Sequence, residues 1–268
     1  MRRTVPGFRL RAVALNGAVP VSSGSTHARA GHFFSAGMKS VLYLLCVLVA
    51  SAVSAAVPES VEITYRVSVG SLKVGEGHDV LQHDGRTYSL ISESKTVGLA
   101  ALFYRLNLTR RSTGKVTANG LRPESFAELR NGKPKRSARF DWDKRTAVLV
   151  DGDNEQTVSL PEDTWDQASF GYNFAFADLQ KATFQVNLTD GRRIQHYDYV
   201  VVGKETIDTE MGRLETIHVK KVQPPGDKRG FDSWISVAHH NLPVRIRITE
   251  KDGTAFDSVV AKIAYPSK

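Results

Sequence analysis

The chain has 268 residues, with 36 Lys and Arg against 28 Asp and Glu, and one cysteine, Cys46. Six of the basic residues and no acid fall within residues 1–55, so the remainder carries a net charge of only +2 and lacks the electrostatic footprint of a nucleic-acid binder. Beyond Cys46 there is no thiol, which excludes disulfides, thiol catalysis and Cys-based zinc sites from the rest of the chain.

Chain order begins with a signal. Met38 and Lys39 give a positive start, Val41 to Ala50 is an uncharged apolar run, and Ser51, Ala52, Ser54, Ala55 and Ala56 are small. A charged start, a short apolar middle and a small-residue exit describe a secretory signal peptide over 38–56, with cleavage at Ala55 or Ala56. The run is shorter than the roughly 20 apolar residues a spanning helix needs, so no membrane anchor is expected to survive cleavage. Leu45 stands before Cys46 where a lipoprotein signal needs a small residue. Residues 1–37, with five arginines and no acid, imitate a transit peptide or a twin-arginine signal. They read more simply as an upstream extension before a start at Met38, expected to be disordered or absent. The working molecule is then a single β-rich domain over 57–268, delivered to the periplasm.

From Val61 the pattern has period two. Val61 to Val69 and Val244 to Thr249 alternate apolar with polar residues, as strands with one buried face do. Asp84-Gly85, Asn119-Gly120, Asn131-Gly132, Asp151-Gly152, Asp190-Gly191 and Asp252-Gly253 punctuate the runs. Such dipeptides supply the positive φ angles of tight hairpins. The spacing predicts strands near 61–69, 74–83, 86–94, 104–117, 122–130, 136–142, 146–150, 156–160, 182–189, 193–202, 213–222, 230–237, 242–249 and 254–265. The fold class expected is mainly β: a large curved antiparallel sheet or barrel-like meander, with one or two short helices covering its concave face.

Two segments break the alternation. Val97 to Phe103 reads as a short helical turn. Thr164 to Leu179 (TWDQASFGYNFAFADL) reads as a helix: Thr164 and Gln167 have the spacing of a capping box, and apolar residues surround it. An apolar helix among strands predicts a plug in the hollow of the sheet. Alternation of Phe170, Tyr172, Phe174 and Phe176 fits a strand as well, and Gly171 weakens a helix.

Chemistry-bearing patterns are sparse. His78, His83, His196, His218, His239 and His240 form no HExxH pair, and His239-His240 precede a turn; no metal site or cofactor is expected. There is no G-x-S-x-G elbow or S-x-x-K set. Gly70, Gly75 and Gly77 have the wrong spacing for a phosphate loop and read as hairpin glycines. Arg110-Arg111 and Lys133 to Arg136 read as solvated faces, or as a contact to anionic lipid or polymer. Trp142, Trp165 and Trp234 with the aromatics of 170–176 are candidates to line an apolar pocket, with core packing as the plainer alternative. Trp165, Phe170, Tyr172, Phe174 and Trp234 are the site residues expected.

Several segments recur together in one family. Asn119 to Phe126 (NGLRPESF), Ala138 to Trp142 (ARFDW), Gly203 to Thr206 (GKET), Gly212 to Thr216 (GRLET), Trp234 and Leu242 to Arg245 (LPVR) stand in the order found in the bacterial secreted proteins grouped as domain-of-unknown-function family 3108. The chain resembles that family over about 60–265. The resemblance implies a periplasmic or envelope β-rich protein and supplies no catalytic residues. The closing element, Trp234 followed by Leu242 to Arg245 and a strand with Asp252-Gly253, is also similar to LolA/LolB-type lipoprotein carriers, curved sheets whose hollow takes acyl chains. Three functions follow in order: non-catalytic binding of a lipid or other amphipathic ligand in the curved sheet; a structural or protein-interaction module of the envelope with a packed interior and an envelope protein as partner; a hydrolase of wall or sugar polymer using dispersed carboxylates.

Overall fold

The computed structural model describes residues 58–266. The expected signal peptide, its cleavage site at Ala55 or Ala56 and the upstream extension lie outside the described residues.

Fifteen strands form one sheet: β1 (Ser60–Val69), β2 (Leu72–His83), β3 (Thr87–Thr96), β4 (Asn107–Thr117), β5 (Gly120–Arg130), β6 (Lys133–Asp141), β7 (Thr146–Asp151), β8 (Asn154–Ser159), β9 (Thr164–Asp166), β10 (Thr183–Thr189), β11 (Ile194–Thr209), β12 (Gly212–Lys221), β13 (Gly230–Ser236), β14 (Leu242–Thr249) and β15 (Ala255–Ala264). Two α-helical turns, α1 (Ala100–Phe103) and α2 (Phe170–Asn173), and a 3-10 turn at Val237–His239 interrupt them among the described residues. The sheet order is β8-β7-β6-β5-β4-β3-β2-β1-β15-β14-β13-β12-β11-β10-β9. Nearly every strand pairs with its neighbour in sequence, as recurrent tight turns dictate. The turns are local chemistry: Asp84 Oδ1 accepts the amides of Arg86 and Thr87 at 2.8 and 2.7 Å, and these bonds hold its carboxyl down at about 2.

The N- and C-terminal strands meet in the middle of the sheet, where β1 pairs with β15. Its two edges, β8 and β9, are consecutive in the chain, joined only by residues 160–163. The sheet therefore curls until its edges meet, without a hydrogen-bonded seam that would close a barrel. β9 is parallel to β10, and all other pairs are antiparallel. The polar edge strand β8 (NEQTVS) offers little apolar surface for a foreign strand to pair with.

Alternation fixes the inner face. In β1, Val61, Ile63 and Tyr65 are buried while Glu62, Thr64 and Arg66 are more exposed. With Leu81, Leu90, Leu121, Phe126, Ala138 and Leu149 they form the larger core on the concave side. A second core gathers Phe170, Phe174, Leu179, Val186, Tyr199, Val219 and Ile235. Each buried Leu, Ile or Phe of these layers contributes about 1.5–3 kcal/mol.

The sheet matches the period-two expectation closely, and the turn predicted at 97–103 is α1. The helix expected over 164–179 is not there. Thr164–Asp166 is strand β9, α2 is a single turn, and 174–180 runs on as turns. Thr164 does not cap: its hydroxyl donates to the carbonyl of Pro161. Asp166 Oδ1 instead takes the amides of Ala168 and Ser169 at 2.8 and 2.9 Å, bending the chain just after β9. Tertiary hydrogen bonds outbid local helix propensity here. The segment still does what was expected of it, filling the hollow of the sheet.

Candidate functional site

Three polar side chains tie the 164–179 segment to the inner wall. Asp166 Oδ2 accepts the hydroxyl of Ser112 (β4) at 2.5 Å, and Ser112 in turn meets the Tyr88 hydroxyl at 2.7 Å. Asn173 brackets Leu121 of β5 as a strand would, accepting its amide at 2.6 Å and donating to its carbonyl at 3.2 Å. Tyr172 donates to Asp79 Oδ2 (β2) at 3.0 Å. Asp166 and Asn173 are fully buried. Burial raises the Asp166 carboxyl, and its hydrogen bonds pull the other way.

Beside this plug the sheet leaves a half-enclosed cavity of about 260 Å³. Its two walls differ. One is apolar and aromatic: Phe170, Leu188, Tyr199, Phe231, Ile246 and Ile248. The other, from β1 to β4, is polar: Asp79, Ser92, Ser94 and Arg110, with the Tyr65 and Tyr172 rings at the boundary. Tyr65 donates to the Pro243 carbonyl at 2.8 Å. Burial drives both tyrosine hydroxyls well above their ordinary range, and the neighbouring Asp79 adds to the shift. Asp79 sits deep in the fold yet keeps some accessible surface on the cavity. Burial raises its carboxyl, opposed by hydrogen bonds from Ser92 and Tyr172 and by the Arg110 charge. Arg110 reaches Glu128 at 3.1 Å, and Arg130 reaches the other oxygen of that buried carboxylate at 3.0 Å. At the apolar wall Lys221 lies 5.0 Å over the Tyr197 ring, and burial lowers its ammonium.

Of the residues expected at a pocket, Phe170 and Tyr172 line this cavity. Phe174 is fully buried behind it, edge-on to Phe170 at 5.1 Å. Trp165 faces a separate surface groove of about 340 Å³ with Trp142, and Arg122 covers Trp142 at 4.3 Å. Trp234 lies on the opposite face of β13 from Phe231. His218 stacks on it at 4.4 Å, Arg245 covers it at 4.5 Å, and its indole donates to Glu205 at 2.7 Å. Around it His218 meets Asp232 at 2.8 Å. Arg245 and Arg247 clamp Asp257; burial raises that carboxyl, but the two arginines outweigh it and hold it low. Trp165 and Trp234 therefore do not line the cavity.

The polar wall escaped residue-type motifs, although strand parity carries it. Gly75, Gly77, Asp79 and Leu81 share the inner face of β2, and Arg110 shares that of β4 with Ser112. Arg110 is thus not on a solvated face; Arg111 is exposed. Nor are Gly75 and Gly77 hairpin glycines. Gly77 lies mid-strand opposite Tyr65, and its missing side chain keeps the cavity open. Among the described residues, no three His, Cys, Asp or Glu are grouped to hold a metal ion. Among the same residues, no helix is long and apolar enough to cross a membrane.

Fold and site together define a mainly β protein, one open curved sheet wrapped around a plug and a two-walled cavity. The chain belongs to the family described as protein of unknown function DUF3108, whose model matches residues 64–260. Among solved structures it is similar to a β-barrel-like protein of domain of unknown function DUF1849 from Brucella abortus, at 9% identity and TM-score 0.49, covering 79% of this chain and 99% of that one. MucB follows at 7% identity and TM-score 0.26, covering 78% of this chain and 54% of that one. A Bacteroides fragilis protein with a YmcC-like fold matches at 12% identity and TM-score 0.30, covering 78% and 97%. At these scores none of the three bears on what this chain does. No curated protein matches.

Proposed function

We propose that the protein is exported to the periplasm and binds, without catalysis, a single-chain amphipathic ligand in the cavity beside the 164–179 plug. The observation that carries this reading is the two-walled cavity. Phe170, Phe231, Ile246 and Ile248 offer an apolar bed, while Ser92, Ser94 and Asp79 offer hydrogen-bonding groups opposite. A purely structural interior would close on itself, since natural cores pack to crystal-like density. The volume of about 260 Å³ lies just below the range of roughly 300–1,000 Å³ typical of ligand pockets, which favours a small or slender guest. Each CH₂ buried there would contribute about 0.8 kcal/mol.

The test is native mass spectrometry and solvent extraction of protein purified from cells, beside a Gly77→Leu variant. A Cβ at Gly77 would meet Tyr65 at ordinary contact distance (3.4 Å), so a longer side chain can enter the cavity without breaking the strand. An amphiphile that copurifies with the parent and is lost from the variant supports the reading; a ligand-free parent that takes up none from lipid extract overturns it. N-terminal sequencing tests export separately, with a mature start at Ala56 or Val57 expected.

A further inference from the structure

The rim of the cavity carries an exposed apolar projection that neither the core nor the cavity uses. Between β3 and β4 the chain makes the loop VGLAALFYR, with α1 at its tip. Leu99, Leu102, Phe103 and Tyr104 are 67, 72, 90 and 63% exposed. The base of this loop is tied down: Thr96 and Leu106 pair through Thr96 N and the Leu106 carbonyl at 3.0 Å, and the Thr96 hydroxyl donates to the Tyr104 carbonyl at 2.9 Å. At its tip the amides of Ala101, Leu102 and Tyr104 find carbonyls within the loop. Such a loop can enter a less polar medium at low cost, because these backbone donors are already paired.

Its position links it to the cavity. Ser94, on the polar wall, stands two residues before Thr96, and Val97 donates to the Val74 carbonyl on β2. From there exposed apolar residues continue along the rim. Leu72 pairs with Val69, Val69 with Phe256, and Phe256 with Ile248, which lines the cavity. Leu72, Phe256 and Ile248 are 54, 38 and 41% exposed. Contiguous exposed apolar surface of this kind marks an interaction site. The charges beside it select the partner. Lys73 and Lys95 share one carboxylate, Glu76, and Arg105 is exposed at the end of the loop. Glu93 beside Lys95, and Asp208 and Glu210 beside Lys73, offset much of the lysine charge. Arg105, next to the tip, is therefore the cation that favours an anionic surface. Apolar tip, aromatic shoulder and that flanking cation are the features of a segment that lies in a membrane interface.

We infer that the 97–105 loop docks the protein on an anionic lipid surface, with the cavity mouth turned toward the bilayer. Leu99, Leu102 and Phe103 enter the acyl boundary, Tyr104 sits at headgroup level, and Arg105 meets lipid phosphates. The orientation of the mouth gains its purpose from the ligand reading above and rests on it; the docking itself does not.

Sedimentation of protein purified from cells with vesicles of phosphatidylethanolamine and phosphatidylglycerol tests the inference, beside vesicles of phosphatidylcholine alone. Leu102→Ser/Phe103→Ser should lower binding to the anionic vesicles by at least about tenfold, with the circular dichroism spectrum and copurifying ligand unchanged. Gly77→Leu should empty the cavity and leave vesicle binding intact, which separates failure of the ligand reading from failure of docking. Equal binding of the double variant and the parent overturns the inference. So does a parent that ignores anionic vesicles, or an oligomer that the double variant dissolves, which would give the loop to a second copy of the chain.

Discussion

Tyr172 donates its hydroxyl to Asp79 across 93 positions of sequence, joining the plug of the fold to the polar wall of its cavity. Asp79 also takes a hydrogen bond from Ser92, so the carboxyl is shared between the sheet and the segment that fills it. Tyr172→Phe removes one donor and leaves the ring in place. The expected loss is about 1–2 kcal/mol, the cost of an unmet buried acceptor partly relieved by Ser92. Urea unfolding followed by fluorescence measures it, and an unchanged midpoint would show that the bond contributes nothing.

Asp79 should also leave a mark on the pH profile. Its carboxyl is raised in the folded protein, chiefly by burial, from an ordinary value of 3.8. The folded state then binds this proton more tightly than the unfolded chain does. Its contribution opposes folding increasingly as pH rises from about 3.8 through the raised folded value, and vanishes below. Asp79→Asn should therefore match the parent's stability in acid and gain on it toward neutrality. Asp166 is raised in the same sense and persists in both proteins, so the difference isolates Asp79. A constant offset at all pH values would contradict this assignment.

Asp166 has a different task, and its removal should cost more. Asp166→Ala frees the amides of Ala168 and Ser169 and the hydroxyl of Ser112, all in a buried setting. A loss of about 2–4 kcal/mol is expected in equilibrium unfolding. Asp166→Asn keeps an acceptor for the two amides and should recover part of it.

Gly120 carries a related constraint. Its φ is 119°, and a Cβ there would overlap the Asn173 side-chain oxygen that holds Leu121. Gly120→Ala should destabilise by about 1–3 kcal/mol, read as a lowered melting temperature.

Trp234 separates packing from binding. Trp234→Ala removes the ring held between His218 and Arg245 and should cost about 3–5 kcal/mol. Trp234→Phe loses the hydrogen bond to Glu205 and should cost about 1 kcal/mol. The Phe variant should retain whatever ligand copurifies with the parent, because the indole faces away from the cavity. Loss of ligand in that variant would place the site on the wrong face of β13.

Residue order alone specifies every strand but β9, and the antiparallel pairing of chain neighbours. A period of two with Asp-Gly and Asn-Gly turns leaves few options beyond an antiparallel meander, because each hairpin is specified within about ten residues. It also determined that 164–179 belongs inside, since no other position hides Phe170, Tyr172, Phe174 and Leu179. What that segment looks like was decided elsewhere. Asp166, Tyr172 and Asn173 find partners on β4, β2 and β5, and those long-range bonds override a local capping pattern. The fates of the tryptophans were likewise set by the fold: Trp234 and Trp165 share composition with a pocket wall, but strand parity and the curl of the sheet turn Trp165 to a surface groove and bury Trp234 beneath His218 and Arg245. Only the curl of the sheet about its middle strands brings Asp79 and Arg110, on β2 and β4, opposite Phe231 and Ile248, on β13 and β14. A cavity is a relation between walls far apart in the chain, and local residue preferences carry no record of that distance.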